Sequence, residues 1–105
     1  MARYLSNSFS INMVPDGKDV NVSIRNIKKE EIPREVISAI GHLDTAVVVS
    51  DELGFEVPSQ RITVSLEEND ILYVAQYRGP RLAEGTTKLP EGAQIKYMEV
   101  KIKIK

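Results

Sequence analysis

The sequence predicts an α/β fold: a single domain, spanning residues 1–105, with a mixed five-stranded sheet flanked by helices. The length of 105 residues suits one domain with one core. Apolar residues alternate with polar residues in several segments, and segments with apolar residues at helical spacing lie between them. Strands and helices that alternate along a chain usually pack as helices against a sheet. We therefore expect an α/β sandwich of five strands and two helices.

Five segments have the composition of strands. They are residues 1–6, 20–27, 61–66, 70–77 and 95–105. Val20, Val22 and Ile24 share one face of the second segment, which predicts a half-buried strand. The fourth segment is the most apolar and is expected at the centre of the sheet. In the last segment, apolar residues from 100 to 104 are expected to face the core, and the alternating lysines are expected to protect an edge strand.

Two segments are predicted as helices. Apolar residues recur at helical spacing from 32 to 40, with Pro33 in the first turn and Gly41 at the end. Residues 42–53 are ambiguous, because three consecutive valines favour a strand. A helical stripe of apolar residues and a possible stop at Gly54 favour a helix, which is our prediction. Residues 78–92 are predicted to form a long loop, and loops of this length are often functional.

Composition limits the function. The chain has no cysteine and one histidine, so neither a sulfur-ligated metal site nor a thiolate nucleophile is expected. The formal net charge of −1 argues against binding to long nucleic acids, but it permits a small anionic ligand. No apolar run is long enough to cross a membrane, and we expect a cytoplasmic protein. No cofactor or metal is predicted.

The histidine, His42, is the first candidate for catalysis. A lone histidine is more often structural. However, Gly41 precedes it and a predicted helix follows it, which places the ring at a helix N-terminus where an anion is favoured. A phosphate bound there would favour the protonated imidazole, the form that can protonate a leaving oxygen.

The second candidate region is the start of the long loop, at the carboxyl end of the predicted central strand, where α/β sheets often bind ligands. Several hydrogen-bond donors lie close together there, namely Gln76, Tyr77, Arg78 and Arg81, and Glu84 lies nearby. An exposed turn with a surface ion pair is the simpler interpretation. Arginine is favoured over lysine for phosphate because its guanidinium group forms paired hydrogen bonds.

Three further residues are candidates for ligand contacts. Asn7 and Ser10 follow the first strand, where a polar turn around Phe9 is the simpler interpretation. Arg61 opens the third predicted strand and is either a second anion contact or an edge charge.

Three blocks together resemble the viral ring nuclease family, and the resemblance covers nearly the whole chain. The blocks are NSFS at residues 7–10, AIGHLDTA at 39–46 and AQYRGPRLAEG at 75–85. The resemblance implies a homodimer that binds cyclic tetra-adenylate across its two-fold axis and degrades this second messenger, which silences type III CRISPR defence. Such a protein acts as an anti-CRISPR.

The resemblance also implies roles for individual residues. His42, Arg81 and Glu84 correspond to the catalytic residues of the family, and Asn7, Ser10, Gln76 and Arg61 to its ligand contacts. The family often has an acidic residue directly after the histidine, where this chain has Leu43. The implied reaction is attack by a ribose 2′-hydroxyl on the adjacent phosphate, which needs no metal.

Other functions remain open at the level of sequence. The same residues could bind and sequester a cyclic nucleotide without cutting it. A small nucleic-acid-binding regulator is a further alternative, although the neutral charge balance disfavours it. A structural interaction dimer is the third.

Overall fold

The structure is a computed structural model that describes residues 1–105. Its regular elements are, in chain order, β1 (Arg3–Ser6), β2 (Val20–Asn26), β3 (Ile37–Ser38), α1 (Leu43–Leu53), β4 (Ile71–Arg78) and β5 (Gln94–Ile104). Two short 3₁₀ turns, Ile11–Met13 and Lys29–Glu31, lie between the strands. The predicted α/β class with a mixed five-stranded sheet is confirmed, but the chain has one α-helix instead of two.

The five strands form one sheet in the order β2-β5-β4-β1-β3. β1 lies between β3 and β4 and runs parallel to both. β5 runs antiparallel to β4 on one side and to β2 on the other. The sheet therefore has a parallel half, β3-β1-β4. The carboxyl ends of these three strands lie along the same side of the sheet, where the strands end.

Apolar side chains pack on both faces of the sheet. On one face, Tyr73 and Ala75 of β4 pack with Ala46 and Val49 of α1. On the other face, Leu72 and Val74 pack with apolar residues of β5 and of the segment at 61–66. Alternate residues of β4 thus enter two cores, as expected for a central strand covered on both faces.

The helix predicted for residues 42–53 is confirmed as α1. Gly54 follows it in the left-handed conformation with φ of 79°, and its N–H donates to the Ser50 carbonyl at 2.9 Å. This conformation costs a glycine little, so Gly54 ends the helix as predicted. The preference of the three valines for strand is overridden because Val48 and Val49 are fully buried.

The helix predicted for residues 32–40 is wrong. This segment contains no α-helix, and Ile37–Ser38 forms β3 instead. The Ala39 N–H donates to the Leu5 carbonyl at 2.7 Å, which continues the pairing with β1. The extended path still buries Ile32 and Ile40, so the apolar spacing reflected burial and not helical geometry.

The strand predicted at residues 61–66 is also wrong, although its alternation is real. Val64 and Leu66 are buried, while Ile62 is exposed. The segment crosses the face of the sheet, and the Leu66 N–H donates to the Met13 carbonyl at 2.8 Å. One buried face is enough to produce alternation, even without a ladder of strand hydrogen bonds.

The sheet edges also differ from the prediction. β5, with its alternating lysines, is not an edge strand because it lies between β2 and β4. β2 is the edge strand, and Val22 and Ile24 are exposed instead of half-buried. The inward orientation of Val100 and Ile102 in β5 is confirmed, since both are buried. No helix of the structure is long and apolar enough to span a bilayer.

Candidate functional site

Most candidate residues follow the carboxyl ends of the three parallel strands. Asn7 and Ser10 come after β1, His42 comes after β3, and Arg81 and Glu84 come after β4. These strands are neighbours and parallel, so the segments after them leave the sheet at the same edge. Segments that follow the carboxyl ends of parallel strands commonly bind ligands.

An open cavity of about 950 Å³ lies at this edge of the sheet. It is lined by the first residues of α1, the end of β4 and the start of the long loop. His42, Arg81 and Glu84 are all among the lining residues. The structure therefore brings the three predicted catalytic residues to one cavity, although they are up to 42 positions apart in sequence.

His42 lies directly before the helix as its N-cap residue. It has an extended backbone with φ of −110° and ψ of 122°, and its side chain makes no capping hydrogen bond. The first bond at this end runs from the Ala46 N–H to the His42 carbonyl at 3.0 Å. The N–H groups of residues 43–45 therefore have no partner within the helix, and together with the helix dipole they favour an anion beside the imidazole.

The root of the long loop, residues 77–80, is held in one conformation. The Tyr77 hydroxyl donates a hydrogen bond to the Pro80 carbonyl. Gly79 between them has a φ of 155°, and a Cβ atom placed there would lie 2.6 Å from the Ala93 Cβ. Only glycine satisfies both conditions. This root sets the direction in which the chain continues toward Arg81.

A tight turn at residues 83–86 presents Glu84. Both the N–H and the hydroxyl of Thr86 donate to the Ala83 carbonyl, at 3.1 and 2.6 Å. Gly85 supplies the left-handed residue of the turn, with φ of 82°. Glu84 is exposed and Arg81 is exposed, so both side chains are free to meet a ligand.

Arg61 is tied to the segment that carries His42. Its Nε donates to the Gly41 carbonyl at 3.1 Å. A Cβ atom at Gly41 would lie 2.7 Å from the Arg61 Cγ, so a glycine is needed for this side chain to pass. Arg61 thereby adds a positive charge beside the start of α1.

None of the five predicted ligand contacts lines the cavity, Arg61 included. The Ser10 hydroxyl accepts from the Asn12 N–H at 3.3 Å and caps a 3₁₀ turn. Gln76 accepts from the Arg78 guanidinium at 3.5 Å. Residues 76 and 78 face the side of β4 opposite to Tyr77, because side chains alternate along a strand. Asn7, Ser10, Gln76 and Arg78 thus lie at the same sheet edge as the cavity, and their role in binding stays a prediction.

Three further polar residues line the cavity: Tyr77, which the sequence indicated only as one of several donors, and Asp44 and Thr45, to which it assigned no role. Tyr77 is the seventh residue of β4, at the strand end where a ligand is expected, and this position was the available signal. Asp44 and Thr45 lie in the first turn of α1. Their side chains meet the cavity because the helix starts at its wall.

No group of three or more His, Cys, Asp or Glu side chains is arranged to hold a metal ion.

Comparisons with known proteins place the whole domain in a family. The family model described as STIV B116-like matches residues 3–102. Ten chains of solved structures match, and one of them is B116 of Sulfolobus turreted icosahedral virus. Its TM-score is 0.77 and its sequence identity 25%, over 95% of this chain and 98% of that chain. No curated protein matches.

Proposed function

The chain belongs to the STIV B116-like family, and we propose that it is a metal-independent ring nuclease that cleaves cyclic tetra-adenylate to linear di-adenylate. The family and the structural match fit a small protein of an archaeal virus. By removing the messenger, the enzyme would suppress type III CRISPR defence and act as an anti-CRISPR. The main support is the single cavity that His42, Arg81 and Glu84 line together.

The geometry supports binding of a phosphate at the start of α1. Free N–H groups of the first turn, the guanidinium of Arg81 and the nearby guanidinium of Arg61 supply hydrogen-bond donors and positive charge. Asp44 in the same turn carries a negative charge, which limits the net attraction. A small cyclic oligonucleotide suits this arrangement better than a long nucleic acid, because the chain has a formal net charge of −1.

RNA carries its own nucleophile, so the protein needs only a few groups for the reaction. The ribose 2′-oxygen attacks the adjacent phosphorus and loses its proton, while the bond from phosphorus to the 5′-oxygen breaks. His42 donates a proton to the departing 5′-oxygen, a contribution of about 10²–10⁴-fold to the rate. The products are a 2′,3′-cyclic phosphate and a 5′-hydroxyl.

Arg81 and Glu84 have supporting roles in this proposal. The guanidinium of Arg81 stabilises the negative charge that builds on the phosphate oxygens during attack. Glu84 orients either Arg81 or the 2′-hydroxyl, since it lines the same cavity on the same loop. The loop from residue 79 to residue 93 would close over the ligand as a lid and exclude water.

A homodimer is part of the proposal. A ring of four identical nucleotides has two-fold symmetry, so two subunits related by a two-fold axis would each meet an equivalent phosphate. Two cuts on opposite sides of the ring would release two identical linear di-adenylates. In this arrangement the sites of both subunits face the same axis.

The test of this function is cleavage of radiolabelled cyclic tetra-adenylate under enzyme excess, with binding measured separately. We expect His42→Ala to bind the ring and to cleave it about 10²–10⁴-fold more slowly. The matched control is Asp51→Ala, which shortens an exposed side chain of the same helix outside the cavity lining. The control should cleave at nearly the wild-type rate.

Sequestration without cleavage is the alternative that uses the same cavity. It predicts that wild type and His42→Ala bind equally well and that neither yields linear product. Absence of binding by the wild-type protein would remove the cyclic oligonucleotide from the proposal altogether.

A further inference from the structure

The outer edge of β2 carries peptide groups that no other part of the chain covers. β2 is the last strand in the order β2-β5-β4-β1-β3, so it has a neighbour on one side only. No backbone hydrogen bond outside the sheet ladders involves residues 20–26. Six of the seven residues of β2 are exposed.

The peptide groups that point outward belong to the even-numbered residues of β2. The Lys105 N–H donates to the Asp19 carbonyl and the Ile27 N–H donates to the Tyr97 carbonyl, each at about 3 Å. Hydrogen-bonded pairs alternate with non-bonded pairs in an antiparallel ladder. Odd-numbered residues from 19 to 27 therefore bond to β5, and the even-numbered residues from 20 to 26 direct their N–H and C=O groups away from it.

This edge lacks most of the features by which proteins usually prevent edge pairing. Such features are short strands, charged side chains (especially lysine), proline in the strand, and bulges. Arg25 is the only charged residue of β2, and its charge is paired with Glu31 and Glu99 of the same chain. The other edge strand of the sheet, β3, has only two residues. In contrast, β2 has seven residues without lysine or proline, and it pairs residue for residue with β5 throughout. Val22 and Ile24 on one of its faces are 40% and 56% exposed.

We propose that β2 pairs antiparallel with β2 of a second copy of this chain, about a two-fold axis through Ser23. This register pairs all seven residues and matches Val22 with Ile24 of the other copy. The outward-pointing groups of the two strands then face each other, since each even-numbered residue meets another even-numbered residue. Asn21 meets Arg25, so no like charges are opposed.

The exposed apolar side chains gain cross-strand apolar contacts in this pairing. Val22 and Ile24 lie opposite Ile102 and Val100 of β5, which belong to a core cluster. Their counterparts in the second copy would continue the same apolar row across the axis. The two five-stranded sheets would then form one continuous sheet, and β2 would no longer be an edge.

This contact is separate from the two-fold axis proposed for the cyclic ligand. Lys101 of β5 pairs with Ser23 on one side and with Ile71 of β4 on the other, so Ile71 is level with the proposed axis. Arg78, at the cavity end of β4, lies seven positions beyond Ile71. With strands 4.8 Å apart and 3.3 Å per residue, the two ligand cavities would lie on the order of 50 Å apart across β2. One ring does not bridge that distance, so the two axes together would give a tetramer or an open chain.

A single cysteine tests the pairing directly, because the chain has none. Ser23 meets its own counterpart at a non-hydrogen-bonded pair, where Cα atoms are about 4.5 Å apart and a disulfide is possible. We expect Ser23→Cys to give a covalent dimer on mild oxidation with diamide at micromolar concentration. The control is Ser65→Cys, another exposed serine, which should give at least about tenfold less dimer.

A second set of substitutions tests whether the cross-link depends on pairing along the edge of β2. Val22→Lys together with Ile24→Lys, in the Ser23→Cys background, places like charges opposite each other and should lower the cross-linked yield at least about tenfold. Ile62→Lys, at a residue that is 39% exposed away from β2, should leave the yield unchanged. Equal yields from Ser23→Cys and Ser65→Cys, or a yield that the lysines do not change, would overturn the proposal.

Discussion

At the scale of single residues, the proposed chemistry depends most on His42. Its ring lies at a helix N-terminus, where free N–H groups favour a bound anion such as phosphate. A general acid must be close to the leaving oxygen to which it gives its proton. A phosphate bound at this helix start would lie beside the imidazole that is proposed to donate the proton.

Tyr97 provides a residue-scale prediction about stability. Its hydroxyl is buried and has no hydrogen-bond partner within the protein. A buried hydroxyl without a partner costs on the order of 1 kcal/mol or more. We therefore expect Tyr97→Phe to raise the free energy of unfolding at neutral pH by about 1 kcal/mol, measured by urea denaturation. A clear loss of stability would mean that the hydroxyl is satisfied.

The same side chain predicts a loss of stability in alkali. Burial, followed by the negative charges of Glu52 and Glu30, raises the pKa of Tyr97 from 10.0 to about 12. Below pH 10 the hydroxyl is protonated in both the folded and the unfolded chain. Between pH 10 and pH 12 the unfolded chain loses its proton first, so stability falls as pH rises.

Tyr97→Phe should reduce that alkaline loss. Some loss should remain, because burial and Glu99 also raise the pKa of Tyr73. Urea denaturation at pH 9 and at pH 11 measures the difference for both proteins. An unchanged alkaline loss in the variant would show that Tyr97 does not cause it.

At the scale of elements, the long loop after β4 depends on its first turn. Gly79→Ala would place a Cβ atom 2.6 Å from the Ala93 Cβ at a φ of 155°. The loop must then leave β4 along another path, which would move Arg81 away from the cavity. We expect the cleavage rate to fall at least about tenfold, because small displacements of a catalytic group are costly.

Gly92→Ala is the matched control for this loop. Its φ of 82° is also positive, although less restrictive than that of Gly79, and nothing lies within 4 Å of the added atom. Single-turnover cleavage by both variants shows whether the effect is specific to Gly79 or common to any glycine of positive φ in the loop. Equal rates for the two would contradict a specific role of the root at Gly79.

Elements differ in how well the sequence predicted them. β1, β2, β4, β5, α1 and the long loop were predictable, because local periodicity and turn residues agreed with the tertiary structure. Residues 32–40 and 61–66 were not, since both have apolar spacing produced by burial alone. Whether such a segment bonds to a strand, forms a helix or only crosses a sheet depends on neighbours that are distant in sequence.

The roles of the candidate site residues stay predictions, but their proximity can be compared with the structure. Its residues were identified from three blocks in the sequence, and the structure brings His42, Arg81 and Glu84 to one cavity. Position at the carboxyl ends of parallel strands gave independent support for Arg81 and Glu84. The contact of the Tyr77 hydroxyl with the Pro80 carbonyl was not predictable, because only the path of the loop reveals it.

At the scale of the whole molecule, the sheet keeps the two proposed contacts apart. The carboxyl ends of β3, β1 and β4 carry the cavity, while β2, the proposed contact with a second copy, lies at the far edge of the sheet. Substitutions in β2 should therefore alter assembly and leave binding of the ligand to the cavity unchanged.

The most direct measurement is the identity of the products formed from cyclic tetra-adenylate in the presence of EDTA. Mass spectrometry after a single turnover distinguishes the linear di-adenylates by their ends. The proposed mechanism predicts a 5′-hydroxyl and a 2′,3′-cyclic phosphate, formed by the wild-type protein about 10²–10⁴-fold faster than by His42→Ala. An intact ring after prolonged incubation, or cleavage that His42→Ala performs equally well, would contradict it.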